Sequence, residues 1–342
     1  MVFDHLLRYG WTDAVAALLD PGELPARVLR VDRGECDVIT ADGELRARTD
    51  RLAPCTGDWV TMHDRGGPCV DRILRRRSVI RRASASGRSA DQVLAANVDT
   101  VAITMALDGD CVHRDLGRIE RILALGWESG THPVVVLTKC DTIADSAEKV
   151  ARVAAIAPGA EVLAVSAATG AGLDELRGAL RGTVVLIGPS GAGKSTLANA
   201  LLGTDVLATN SVRSDHKGRH TTVRRELIPL PFGGQIIDTP GLRAVGLWDA
   251  GEGIGLAFAD IADLASGCRF DDCAHGGEPG CAVVAAVNDG VIDPRRLDSY
   301  RKLIRENEWI SARSDARLQA EQKGRARVQS RALRRMYRER AR

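Results

Sequence analysis

The residues best suited to chemistry are Gly188-Pro189-Ser190-Gly191-Ala192-Gly193-Lys194-Ser195-Thr196. They follow an apolar run, Thr183–Ile187, and precede Leu197-Ala198-Asn199-Ala200-Leu201-Leu202. The spacing GxxxxGKS between a buried strand and a helix start suits polyphosphate binding. Glycines let consecutive backbone N–H groups converge on one anion, and the helix N-terminus adds its positive dipole end. Lys194 would bridge the outer phosphates and Ser195 would ligate a magnesium ion.

A second set of residues reads as base recognition. Val134–Leu137 runs into Thr138-Lys139-Cys140-Asp141, which resembles the NKxD guanine motif of GTP-binding proteins. A carboxylate at Asp141 accepts both the N1 and N2 hydrogens of guanine, and the stem of Lys139 packs over the base. Thr138 stands where asparagine is usual. Its hydroxyl is shorter and donates one hydrogen, so one supporting bond is expected to be lost or water-mediated, and guanine preference rests on Asp141. Glu161–Val165 ends in Ser166-Ala167, the expected second base-contacting loop.

Downstream lies Lys217-Gly218-Arg219-His220-Thr221-Thr222, where Thr222 suits a first switch closing on magnesium and the terminal phosphate. Gln235-Ile236-Ile237 leads into Asp238-Thr239-Pro240-Gly241, the DxxG of a second switch. Asp238 would hold magnesium through water, and the Gly241 N–H would sense the γ-phosphate. The glutamine that often follows that glycine is replaced by Leu242, which cannot orient water. His220 is the candidate replacement, as a base or water-orienting group; the alternative is that it only stabilises the switch.

Cys268, Cys273, His275 and Cys281 place three thiols and one imidazole within fourteen residues. That is a closed tetrahedral donor set for zinc, with no open position for catalysis. The other five cysteines show no pairing pattern, so a reducing, cytosolic compartment fits better than a disulfide framework.

These residues need scaffolds. The chain has 342 residues, of which 44% are hydrophobic, enough for two or three cores. No apolar run approaches a membrane span, and residues 1–20 lack the features of a signal peptide. They read as a short helix. Five short strand-like runs follow: Ala26–Val31, Asp37–Thr40, Leu45–Thr49, Asp58–Met62 and Cys69–Leu74. Five strands in this span predict a small barrel of the oligonucleotide-binding kind, or one that serves only as a packing module. Residues 75–88 carry six arginines and read as a linker or a phosphate-facing rim.

From Ala95, apolar strands alternate with helices, which predicts a parallel, doubly wound sheet. Beyond it, helices are expected at Ile254–Ala265, Ala282–Val287 and Pro294–Trp309. Net charge is only +2, yet from Arg301 onward fourteen Lys or Arg face five Asp or Glu. The tail from about Ser311 is helical in propensity without an apolar stripe. It reads as a basic helix that orders on RNA, or as a solvated tail.

The order of the motifs is informative. The base-recognition loops precede the phosphate loop, which is the reverse of an ordinary GTPase. A circular permutation assembles the same site and puts the second switch near the C-terminal exit of the domain. The chain is similar to the circularly permuted, ribosome small subunit-dependent GTPase A family. The resemblance spans nearly the whole length. It rests on Gly57-Asp58-Trp59-Val60, Ala96-Asn97-Val98-Asp99, the GPSGAGKS, GRHTT and DTPG motifs, and the cysteine cluster.

The resemblance implies an oligonucleotide-binding barrel at 1–90, a permuted P-loop GTPase at 91–250, and a helical zinc-binding domain with a basic tail at 251–342. It implies GTP hydrolysis with magnesium, stimulated by the small ribosomal subunit, and a role in late maturation of that subunit through rRNA. Lys194, Thr222 and His220 would serve catalysis. A cytoplasmic monomer is expected. An RNA-binding scaffold with an idle nucleotide site is the rival reading, and an ATPase a third.

Overall fold

The computed structural model describes residues 4–82, 92–107, 111–204, 225–238 and 250–314. Two short helices open it, α1 (Asp4–Leu7) and α2 (Asp13–Ala16), where the sequence predicts one. Gly10, at φ +83°, turns the chain between them, and Thr12 caps the second by accepting from the Val15 N–H.

A closed barrel follows, in the order β1-β2-β3-β5-β4: β1 (Leu24–Val31), β2 (Glu35–Thr40), β3 (Gly43–Arg48), β4 (Trp59–His63) and β5 (Cys69–Ile73). All pairings are antiparallel except the closing Arg48–Cys69 contact. Ala26, Val28, Val38, Ala47, Val60 and Val70 fill the interior. Successive strand residues face opposite sides. The alternate residues Arg27 and Leu29 are also buried, because the outer face of β1 lies against the next domain.

The described part of the arginine-rich stretch, residues 75–82, includes a strand. β6 (Val79–Arg82) and β7 (Gln92–Ala96) form an antiparallel ribbon. Arg76 is bidentate on the fully buried Asp58, at 2.7 Å for each bond, and Arg77 lies 3.2 Å from Asp99. Two of the six arginines thus serve the protein's own carboxylates.

The main sheet has the order β10-β9-β8-β11-β13-β12. Its strands are β8 (Thr100–Ala106), β9 (His132–Thr138), β10 (Glu161–Ala164), β11 (Thr183–Ile187), β12 (Glu226–Pro229) and β13 (Gln235–Asp238). Five strands are parallel, and β12 is an antiparallel edge. Crossovers run through α3 (Cys111–Glu128), α4 (Ala147–Ala154) and α5 (Leu173–Ala179), and α6 (Lys194–Leu202) follows β11. The central strands β8 and β11 are buried along their whole lengths, as a sheet covered on both faces requires.

The C-terminal part holds α7 (Gly251–Ala257), α8 (Ala259–Ala265), α9 (Ala282–Asn288) and α10 (Pro294–Ser314). The helix predicted over 254–265 is broken at Phe258, which is fully buried with its ring 5.4 Å from Tyr300 and under the Arg296 guanidinium at 4.6 Å. Helix α10 extends beyond Trp309 to Ser314, and the rest of the basic tail lies outside the described residues. Among the described residues, no helix is long and apolar enough to cross a membrane.

Candidate functional site

Thr138, Ser166, Gly188 and Asp238 stand at or just beyond the carboxyl ends of β9, β10, β11 and β13. That edge is where open α/β sheets bind ligands. Strand β11 leads directly into the phosphate loop. A Cβ on Gly188 would overlap the Thr104 carbonyl, so only glycine lets the chain leave the strand this close to β8. Gly191 and Gly193 take left-handed φ of +81° and +76°. Gly193 is the N-cap of α6, and no side chain caps that helix. Its first N–H groups therefore suit an anionic ligand. The Lys194 ammonium donates to the carbonyls of Gly188 at 2.8 Å and Pro189 at 2.7 Å, which holds it over the loop.

The base-recognition segment is tied to this loop. The Thr138 hydroxyl is buried and lies 2.8 Å from the Ala192 carbonyl and 3.2 Å from that of Met105. The threonine thus keeps a direct bond to the phosphate loop, where the sequence suggests a loss. Lys139 adopts φ +60°, which turns the chain into a 3-10 turn at Cys140–Thr142. The Thr142 hydroxyl closes that turn on the Lys139 carbonyl at 2.8 Å, and Asp141 is exposed on it. The Cys140 N–H donates to the Val165 carbonyl at 3.2 Å, which places the two base loops side by side.

Ser166 is fully buried, and its hydroxyl accepts from the N–H groups of Ala168 and Thr169, both at 3.2 Å. That hydroxyl shapes its own loop, while Ala167 is half-buried at the surface. His220, Thr222 and Gly241 lie outside the described residues, and Asp238 is placed by its backbone pairing with Glu226.

The four C-terminal ligands converge. Their candidate donor atoms all lie within 4.8 Å of one another. Cys268 Sγ is 3.8 Å from Cys281 Sγ and 3.6 Å from His275 Nδ1, which is 3.5 Å from Cys281 Sγ. A tetrahedron with metal–sulfur bonds of about 2.3 Å has edges of about 3.8 Å, so the donor spacing fits a four-coordinate ion. His275 takes φ +55° to present Nδ1. Sequence reasoning missed Glu278, whose carboxylate accepts from the Ala274 N–H at 3.2 Å and the Gly276 N–H at 2.6 Å, and lies 3.7 Å from Cys273 Sγ. It braces the loop that carries the ligands.

Sequence reasoning also missed what docks this unit. Glu120 of α3 is fully buried and accepts from Arg295 at 2.9 and 3.0 Å and from Arg296 at 2.9 Å. Arg296 also binds Asp260 through two bonds of 2.6 Å. Just beyond the second switch, the Ala250 N–H donates to the Asn307 side chain at 2.6 Å, and the Gly253 N–H to Glu128 at 2.8 Å. The C-terminal unit therefore grips the segment's exit and α3 together.

Comparison with known proteins gives this arrangement its family. A family model described as RsgA GTPase matches residues 73–248. Two relatives described as small ribosomal subunit biogenesis GTPase RsgA are similar over most of their length. The protein from Streptomyces coelicolor is 54% identical, covering 92% of this chain and 90% of the relative. That from Methanosarcina acetivorans is 40% identical, covering 89% and 85%. Two solved structures share the fold. YjeQ from Thermotoga maritima aligns with a TM-score of 0.61 at 24% identity, over 83% of this chain and 98% of its own. YloQ, described as a circularly permuted GTPase, gives 0.59 at 22% identity, over 86% and 96%. The chain belongs to the RsgA GTPase family and is a GTP hydrolase.

Proposed function

We propose that this GTPase acts as a late checkpoint in maturation of the small ribosomal subunit, with hydrolysis stimulated by that subunit. The observation that carries the reading is the pair of grips around the second switch. Strand β13, whose Gln235 accepts from Arg27 of the barrel, leads into the segment, and the C-terminal unit holds the segment's exit at Ala250 through Asn307. A change in the switch on hydrolysis would therefore act on the two domains that would contact rRNA in this reading. Relatives 54% and 53% identical carry the small-subunit description, which supports the same partner here.

In this reading Asp141 selects guanine, and the stem of Lys139 covers the base beside Ser166-Ala167. The backbone N–H groups of Gly188 and of Ser190 to Thr196 cradle the phosphates, with the Lys194 ammonium on the outer ones. Magnesium, held by Ser195, Thr222 and Asp238, would neutralise charge on the phosphates. The Gly241 N–H would sense the γ-phosphate, and His220 would orient the attacking water. The ion held by Cys268, Cys273, His275 and Cys281 would be zinc in a structural role, since all four tetrahedral positions are filled by protein. The barrel (1–90) and the C-terminal unit (251–342) would contact rRNA in the cytoplasm.

The test is co-sedimentation with purified small subunits. The protein should pellet with them when loaded with a non-hydrolysable GTP analogue and remain in the supernatant with GDP. Equal binding in both states would leave a scaffold rather than a checkpoint.

A further inference from the structure

The buried arginine of the barrel has no part in the site as described, yet it touches two strands that carry it. Arg27 is 1% exposed and sits between β1 and the main sheet. One guanidinium nitrogen donates to the Tyr9 carbonyl and to Gln235 Oε1, the latter at 3.2 Å. The other donates to Thr183 Oγ1 at 2.7 Å, and the group lies 5.1 Å from the centre of the Trp59 ring. None of these partners is charged. Burial pulls the Arg27 pKa down to about 10, which leaves it cationic at neutral pH.

Asp99 and Asp58 favour the charged form from nearby, but the hydrogen bonds of this buried cation go to neutral acceptors, and leaving them unmade is costly, so those acceptors are held in place with it. The Gln235 amide is fixed from three sides. Its oxygen accepts from Arg27 and, at 3.1 Å, from the Thr183 hydroxyl, and its nitrogen donates to the Arg8 carbonyl at 3.0 Å.

Thr183 and Gln235 are paired residues at the first positions of β11 and β13. Gly188, at the head of the phosphate loop, is five residues along one strand, and Asp238 is three along the other. At about 3.3 Å per residue these distances are about 17 and 10 Å. A second barrel contact lies further along β13. A Cβ on Gly57 would overlap the Ala96 carbonyl and approach Ile237 Cδ1, next to Asp238, to 3.2 Å.

We infer that Arg27 is a positioning residue through which the seating of the barrel sets the axial offset between β11 and β13, and thus the placement of Asp238 relative to the phosphate loop. The inference rests on the reading of Asp238 as the carboxylate that faces magnesium. It makes the barrel part of the nucleotide site, so a ligand that shifts the barrel alters how the site holds its metal.

The experiment titrates magnesium into the full-length protein bound to a fluorescent GDP analogue, with magnesium omitted rather than chelated so that the cysteine cluster stays loaded. Arg27→Met and Gln235→Met should raise the half-saturating magnesium concentration roughly tenfold, the lower range for residues that orient metal ligands. Affinity without magnesium should stay within about twofold of wild type. Gln235→Glu, which keeps an acceptor for Arg27 but loses the bond to the Arg8 carbonyl, should shift less than Gln235→Met, and Arg46→Ala on the barrel's outer face should match wild type. Should Arg27→Met not fold, Gln235→Met carries the test.

An unshifted magnesium response, or equal weakening with and without magnesium, overturns the inference. Asp238→Asn separates it from the underlying reading. If that variant shifts and the others do not, the inference alone fails; if it does not shift, the magnesium role of Asp238 fails and takes the inference with it.

Discussion

Replacing Thr138 by valine tests how the base and phosphate halves of the site are joined. Valine keeps the branched shape and loses only the hydroxyl, which lies 2.8 Å from the Ala192 carbonyl. Thr138 and Ala192 are 4% and 1% exposed, so little water is at hand to replace the donor. Leaving a buried acceptor short of its donor costs about 1–3 kcal/mol. At about 1.4 kcal/mol per tenfold, the phosphate loop should lose roughly five- to a hundredfold in nucleotide affinity. The contact lies on the loop rather than at the γ-phosphate, so GTP and GDP should weaken by the same factor. Asp141 is untouched, so discrimination against ATP should persist. Thr138→Ser, which keeps the hydroxyl, should recover most of the loss. Calorimetric or fluorescence titration of both nucleotides reads this directly. Wild-type affinity in Thr138→Val, or a loss confined to GTP, would refute the link.

Other outcomes follow from the same geometry. Stripping the ion from the cysteine cluster should unfold the C-terminal unit, since such sites couple on the order of 10–16 kcal/mol to folding; unchanged helicity and protease resistance after verified metal loss would contradict it. Glu120→Leu leaves Arg295 without its buried partner and Arg296 with Asp260 as its one bonded carboxylate beside the Ile156 and Ala257 carbonyls, and should cost about 3–5 kcal/mol, read as earlier exchange of α10 amides. His220→Ala should lower subunit-stimulated turnover by roughly 10²–10⁴ while nucleotide affinity holds; a parallel loss of affinity would assign the residue to switch stability. Affinity for the small subunit should fall steeply between low and moderate salt. A flat salt dependence would remove phosphate contacts from the barrel and tail.

The parts of this molecule that sequence makes legible are those where one local rule dominates. The phosphate loop follows from glycine spacing between an apolar run and a helix start, and the donor tetrahedron from four ligands in fourteen residues. The barrel strands are legible to within a few residues because their alternation is local. Strand β12 escaped notice because four residues ending in proline carry little pattern, and its place comes from pairing with β13. The β6–β7 ribbon is hidden by the residues between its strands. At the break, Phe258 packs against Arg296 and Tyr300, about forty residues away, which the local pattern cannot show. Arg27 is the sharpest case. In the sequence it is one arginine in a strand, and its partners Thr183 and Gln235 lie 156 and 208 residues further along the chain. The motifs around Gly57 and Asn97 were legible only as resemblance. The structure gives their physical reason: Asn97, at φ +53°, donates to the Gly57 carbonyl at 3.0 Å and accepts from the Arg77 N–H at 3.1 Å, which closes the domain junction.

In the function proposed above, GTP hydrolysis answers to the small ribosomal subunit. Phosphate release by the purified protein, with and without an equimolar amount of small subunits, tests it most directly. A rise of at least roughly tenfold is expected with small subunits, equal to about 1.4 kcal/mol of barrier, and none with large subunits. The same slow rate under all three conditions would contradict it.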